Sequence, residues 1–345
     1  MSQGYPGQPW GQQQWGQHQW GQQPMGQQQW PAPTVPTQPP TKRGPGPIIL
    51  GALIVVAVAM LGFVLYSLLS GPDYQNDDYE PPPPGPTSPL PDIRISEADA
   101  ILSDNPLYAQ QIPVPVRCEL QTPDINLDTA TDAEVQAHLD DVMACLMRVW
   151  DPPFRSTQRF ESHRPVVNVY HESITTPCGE QEDPSAFYCM VNQQIYLSRQ
   201  YAQVHPNLST LPRPRVVDAV MAHEFGHSVQ ARNGILLVRL FKSQDLEREE
   251  ALELSRRVEA QADCFAGLYF RSVQQSIGLT QEQLGTITEY RRLVGSDELS
   301  GTPDDPDVIT THPHGRSRVY WFQTGLTSDD VGACNTFTAP SDYVR

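Results

Sequence analysis

The sequence predicts an α+β fold, and three features carry that expectation. Short apolar runs with strand-like composition come first, Val166 to Tyr170 and Phe187 to Leu197. Two long helical patterns follow, Arg215 to Arg232 and roughly Asp245 to Ser272, and strands followed by helices is the α+β order. Composition turns globular near residue 93, so that 93–345 forms a domain of about 250 residues, enough to bury a full core.

What precedes residue 93 divides into three. Residues 1–47 are rich in Gln, Gly, Trp and Pro, and 1–41 hold no Asp, Glu, Lys or Arg. Their large residues Tyr5, Trp10, Trp15, Trp20, Met25 and Trp30 recur every five positions, which fits neither helix nor strand. This head is predicted to be a disordered cytoplasmic tail whose Trp and Gln residues offer self-association or a cytoplasmic partner. Ile48 to Leu69 is an uncharged apolar run of 22 residues, long enough as a helix to cross about 30 Å of hydrocarbon. Lys42 and Arg43 precede it, and Asp73, Asp77, Asp78 and Glu80 follow. Positive-inside reasoning then predicts a single-pass cell-membrane protein with its catalytic part extracytoplasmic. Residues 70–92, with prolines at 81 to 84, read as an extended, semi-rigid acidic stalk.

The chain carries 23 Lys and Arg against 40 Asp and Glu, and every acidic residue lies beyond position 71. Such a balance disfavours nucleic acid and anionic lipid, which need clustered cations. Cys118, Cys145, Cys178, Cys189, Cys264 and Cys334 all follow the apolar run, and an even count in a translocated part suggests up to three disulfides among 15 pairings.

Within the globular part, Thr131-Asp132-Ala133-Glu134 reads as a capping box. The helix it starts keeps apolar spacing through Val135, Leu139, Val142, Leu146 and Trp150, and Pro152-Pro153 is expected to end it. Asn233-Gly234 stops the helix that begins near Arg215.

That second helix carries Met221 to Gln230, MAHEFGHSVQ, with His223-Glu224-Phe225-Gly226-His227 as H-E-x-x-H. Four residues apart on a helix, His223 and His227 share a face and can reach one Zn²⁺, leaving Glu224 beside it as a general base. A catalytic zinc takes three protein ligands and keeps one position open. Glu259 is the best third candidate, with Asp263 one turn later placed to hold a histidine by its second ring nitrogen. An E-x-x-x-D pair also suits a solvated face, as Glu247, Glu249, Glu250 and Glu253 do on the same helix; Ala260, Ala262, Phe265 and Ala266 mark the Glu259 stretch as buried instead.

From roughly residue 100 to 340 the chain resembles the neutral zinc metallopeptidase family, membrane-anchored bacterial proteins of the gluzincin type. The stretches that carry the resemblance are Cys178-Gly179, Phe187-Tyr188-Cys189, Ile195-Tyr196-Leu197, MAHEFGHSVQ and Glu259 to Gly267. They continue with His314-Gly315, Arg318, Gly332-Ala333-Cys334 and Phe337. The resemblance implies a zincin-like catalytic domain, a small sheet followed by an active-site helix and a ligand helix. It also implies one zinc ion on His223, His227 and Glu259, with Glu224 as catalytic base. Phe225 stands where the family often has Tyr, Ser228 where it often has His, and Gly295-Ser296-Asp297 where Gly-Asp-Asp is expected.

The implied reaction is hydrolysis of peptide bonds by a metal-activated water, and it needs a donor for the developing oxyanion. His312 and His314 are candidates, and His314 is chosen because it lies in the family-like stretch; Tyr196 and Tyr320 are alternatives. A peptide substrate is expected to add to an edge strand, taken to be Gln193 to Ser198. If cysteines pair with their sequence neighbours, Cys118 joins Cys145, Cys178 joins Cys189, and Cys264 with Cys334 ties the ligand helix to the C-terminal tail. The competing readings are a non-enzymatic zinc-stabilised cell-envelope scaffold, which has no use for Glu224, and a zinc hydrolase acting on another acyl group.

Overall fold

The computed structural model describes residues 47–69, 71–121, 125–201, 203 and 215–345. The tail predicted over residues 1–46 lies outside them, as do Lys42 and Arg43. The chain divides into two units between Ser70 and Gly71, each taken by itself.

In the first unit one helix, α1, spans Pro47–Leu69. No helix among the described residues is long and apolar enough to cross a membrane. That finding overturns the expected single-pass membrane protein with an extracytoplasmic catalytic domain.

The second unit is mixed: a small sheet packed among helices, the coarse α+β class the sequence predicts. Its helices are α2 (Ala98–Ser103), α3 (Asp132–Thr157), α4 (Val216–Arg232), α5 (Ile235–Lys242), α6 (Arg248–Val273), α7 (Gln281–Leu293), α8 (Ser296–Leu299) and α9 (Gly315–Leu326). Its strands are β1 (Val167–Tyr170), β2 (Ile174–Thr176), β3 (Gly179–Gln181), β4 (Ala186–Cys189) and β5 (Gln194–Ser198). β2 and β3 form a separate antiparallel hairpin. The main sheet has order β1-β5-β4, with β5 parallel to β1 and antiparallel to β4. The edge strand expected at Gln193 to Ser198 is therefore corrected: β5 is central and paired on both sides, and β1 and β4 are the edges, β4 being the one packed against α4.

The capping box at Thr131 and Glu134 forms, but α3 does not end before Pro152-Pro153; it runs through both prolines to Thr157. Pro152 leaves the carbonyl of Arg148 without its helical N–H. The Asn76 side-chain amide donates to that carbonyl instead at 2.9 Å. Trp150 and Phe154 on this turn are buried, and Trp150 packs edge-on against Phe265 of α6 with centroids 4.9 Å apart. Burial of two aromatics, worth roughly 1.5–3 kcal/mol each, outweighs the lost helical hydrogen bonds.

Residues 71–92 run along this unit. Gln75 N–H donates to Pro115 at 2.8 Å, Thr87 Oγ1 to the Asn192 carbonyl at 2.9 Å, and Arg232 Nη1 to the Pro89 carbonyl at 2.8 Å. Three disulfides close the unit, Cys118–Cys145, Cys178–Cys189 and Cys264–Cys334.

Two helix crossings set the positions of the functional side chains. α6 meets α9 through Gly267 and Gly325, where a Cβ on Gly325 would overlap the Cys264 carbonyl. α4 meets α6 at Gly226, where a Cβ would lie 3.1 Å from the Ala262 Cα. The glycine inside H-E-x-x-H thus lets the α4 and α6 backbones approach.

Candidate metal centre

α4 is buried along almost its whole length, packed by α3, α5, α6, α7 and β4. One turn apart on it, the His223 and His227 rings stand edge to face with centroids 4.8 Å apart. Glu259 reaches them from α6: Oε2 lies 3.2 Å from His223 Nε2, and Oε1 lies 3.5 Å from His227 Nε2. The donor atoms of His223, His227 and Glu259 all fall within 4.8 Å of one another. Three donors about 2.1 Å from one tetrahedral ion would sit roughly 3.4 Å apart, so the residues fit a single zinc.

Charge favours a cation here. Burial would raise the Glu259 carboxyl, but His227, His312 and His223 hold it well below the usual carboxylate range. Burial would lower His227, but Glu259, Glu224 and Gln230 push it up to about 9. This is an anionic pocket holding protons where a metal can replace them.

The remaining ring nitrogens have partners too. His223 Nδ1 lies 2.9 Å from Asp263 Oδ1. Asp263 is itself fully buried between Arg291 Nη1, at 3.1 Å, and Arg318 Nε, at 3.0 Å. Burial raises its carboxyl, and Arg318, His223 and Arg291 more than offset that, bringing it to about 2. His227 Nδ1 lies 2.8 Å from Gln230 Oε1, while Gln230 Nε2 donates to the Val258 carbonyl at 2.8 Å and to Gln261 Oε1 at 3.0 Å. Gln261 in turn donates to Tyr108 Oη at 2.8 Å and to the Cys334 carbonyl at 3.0 Å. This amide relay fixes which end of Gln230 faces the histidine. Sequence reasoning missed Gln230, although the i, i+3 spacing from His227 was there to read.

Two clefts open on the centre. The larger, about 450 Å³, is lined by β4 residues Ala186 to Tyr188, by His223, Glu224, His227 and Glu259, by α5 and by His312. The smaller, about 240 Å³, shares Ala186, His223, Glu224 and His312 and extends past Tyr290 and Leu299. Glu224 borders both, and among the described residues no cation lies within ion-pair distance of it.

The structure does not bring His314 to the clefts. It is 1% exposed, caps α9, and its Nε2 donates to the Val308 carbonyl at 2.8 Å. His312 stands there instead, with Nε2 3.6 Å from Glu259 Oε2. Of the tyrosine alternatives, Tyr196 bonds with Asn192 at 2.8 Å, and Tyr320 packs at a tilt against Tyr343; neither lines either cleft. His138 is buried, and its Nε2 lies 2.6 Å from Asp218 Oδ1 near the start of α4.

An H-E-x-x-H helix, a carboxylate from the next long helix and an unpaired glutamate at a cleft define the zinc-peptidase class of site. Residues 109–337, about two thirds of the chain, match the family described as "Putative neutral zinc metallopeptidase", and the chain belongs to that family. It is 31% identical to "Uncharacterized protein YpfJ" of Escherichia coli (strain K12) over 188 residues, 52% of this chain and 66% of that protein. It is 28% identical to "Uncharacterized protein Rv2575" of Mycobacterium tuberculosis over 190 residues, 51% of this chain and 63% of that protein. The chain thus spans a little under two thirds of the length of the curated relatives it matches. No solved structure matches it.

Proposed function

We propose that this protein is a zinc-dependent endopeptidase in which Glu224 moves the proton of an attacking water. The observation that carries the reading is Glu224 itself: a buried carboxylate that makes no salt bridge among the described residues, bordering both clefts beside three convergent donors. A purely structural zinc site would gain nothing from it.

His223, His227 and Glu259 would hold one zinc ion. When bound, the ion supplies Lewis acidity that polarises the scissile carbonyl and acidifies a water. Glu224 takes the water's proton and returns it to the leaving amine. His312, exposed at the cleft, donates to the oxygen on which charge develops; His314, committed to Val308, leaves that role to it. Asp263 and Gln230 hold the two imidazoles by their Nδ1 atoms and keep both Nε2 atoms turned toward Glu259.

The substrate lies extended beside β4, whose outer edge borders the larger cleft at Ala186, Phe187 and Tyr188. Backbone hydrogen bonding to a strand edge accepts many sequences, which suits an endopeptidase.

Glu224→Gln tests the reading. Zinc content per mole should stay at the wild-type value while peptide hydrolysis falls by about 10²–10⁴-fold. A Glu224→Gln enzyme as fast as wild type would remove the base assignment. Glu259→Ala should lose zinc, and an unchanged metal content would take Glu259 out of the ligand set.

A further inference from the structure

We infer that Arg239 is an anion-binding residue of the larger cleft, so that the preferred substrate carries a carboxylate about two residues from the bond that is cut. The inference deepens the peptidase reading and rests on it for the word substrate; the anion site itself rests on the cleft alone.

Leu236, Arg239 and Leu240 lie on one face of α5, at i, i+3 and i+4, and all three line the larger cleft. Ile235 and Val238, on the adjoining face, are buried in the core, which fixes the helix and leaves Leu236, Arg239 and Leu240 at the opening. The cleft wall is otherwise apolar at this end, with Met190, Leu236, Leu240 and Val258.

Arg239 Nη2 donates to Ser255 Oγ at 2.7 Å, and Ser255 Oγ donates to the Ala251 carbonyl at 3.0 Å. The guanidinium is therefore held by a neutral oxygen. Among the described residues no carboxylate lies within ion-pair distance of it, in a chain where Asp and Glu outnumber Lys and Arg by 40 to 23. The two arginines on the smaller cleft differ: Arg291 and Arg318 are both spent on Asp263. A guanidinium offers five N–H donors in a planar fork that matches a carboxylate, and a partly desolvated site strengthens that pairing.

Position sets the register. Ser255 precedes Glu259 by four residues on α6, about 6 Å along the helix. If the substrate runs along α6, an extended peptide advancing about 3.3 Å per residue places a carboxylate on Arg239 about two residues from the reacting carbonyl. Two chemical sources fit, an acidic side chain within a longer peptide and a free C-terminal carboxylate.

The test uses zinc-loaded full chain and quenched fluorescent peptides built on one cleavable core. One set has an amidated C-terminus and carries Glu or Gln at each position flanking the scissile bond. The other is neutral and ends, at varied distance, in either the free acid or the amide. In wild type the carboxylate form of one set should exceed its amide partner in kcat/KM by about ten- to hundredfold at the register given above. That ratio should fall to near one in Arg239→Gln and to an intermediate value in Arg239→Lys. The set that shows the effect identifies the source.

Ratios near one in both sets for wild type, or a ratio that Arg239→Gln leaves unchanged, overturn the inference. The wild-type arm needs no variant to fold. Binding of the same peptides to Glu224→Gln protein, with and without Arg239→Gln, is read by anisotropy. If wild type cleaves nothing, the peptidase reading falls, and the acid-to-amide binding ratio still decides the anion site by the same criterion.

Discussion

Asp263 Oδ1 lies 2.9 Å from His223 Nδ1, and the same carboxylate is the meeting point of two buried arginines. One side chain thus orients the His223 imidazole, a proposed zinc ligand, and neutralises Arg291 and Arg318. Its removal should show in both functions. Asp263→Ala should weaken zinc binding by about 10–100-fold, measured by competition with a chromophoric chelator. It should also cost about 3–5 kcal/mol of unfolding free energy, because two arginines are left buried without a counter-charge.

Gly226 sits inside the H-E-x-x-H and faces Ala262, whose Cα and carbonyl oxygen lie 3.1 and 3.2 Å from where a Cβ would stand. Gly226→Ala should force α4 and α6 apart and cost about 1–3 kcal/mol of stability. Glu259 rides on α6, so zinc affinity should fall with it. A variant with wild-type denaturation midpoint and zinc affinity would show that α6 yields freely there.

Asp297 contributes to the acid limb of stability, beside Asp263 and Glu259. It is buried, and its Oδ1 and Oδ2 accept the N–H groups of Gly315 and Asp304, each at 2.8 Å. Burial raises its carboxyl, and those two N–H groups with His314 outweigh that and lower it. A carboxyl depressed in the folded state stabilises fully above its unfolded pKa, about 3.9, and loses that contribution as pH falls through the lower folded value. Asp297→Asn should therefore lower stability near neutral pH by about 1–3 kcal/mol and flatten the decline below pH 4. Urea titrations at pH 7 and at pH 3 measure both effects.

Cys264–Cys334 closes a loop with a sequence separation of 70. Replacing both by Ser should cost about 4 kcal/mol on loop-closure grounds. Cys334 also offers the carbonyl that anchors Gln261, and through Gln230 the His227 ring. The double variant should accordingly lose zinc affinity as well as stability. Thiol titration of wild type in non-reducing denaturant should find no free cysteine, as all six are paired.

Much of the domain could be read from local pattern. The Thr131 capping box, the Asn233-Gly234 stop and the helical spacing around His223 are short-range signals, and each element formed where they stand. The end of α3 was misread because a proline penalty is local while its compensation is remote: Asn76, 72 positions earlier in the chain, supplies the missing donor. α5 went unread because its eight residues are fewer than the window over which a helical period can be recognised, yet it bears Arg239. His314 was preferred over His312 on the strength of a motif. Two residues apart at the mouth of α9, one side chain turns into the loop and the other into the cleft, and only the chain's path decides which.

The sequence by itself determined the chemistry available: two imidazoles and a base on one helix, a carboxylate pair on the next, and the α+β order around them. These follow from helical periodicity, which acts over four residues. The tertiary structure decided what those groups face. It made β4 rather than β5 the open edge, turned His312 rather than His314 toward Glu259, gave His227 an amide partner and left Arg239 without a carboxylate. Each depends on contacts between segments far apart in sequence, where burial and packing, not local preference, set the outcome.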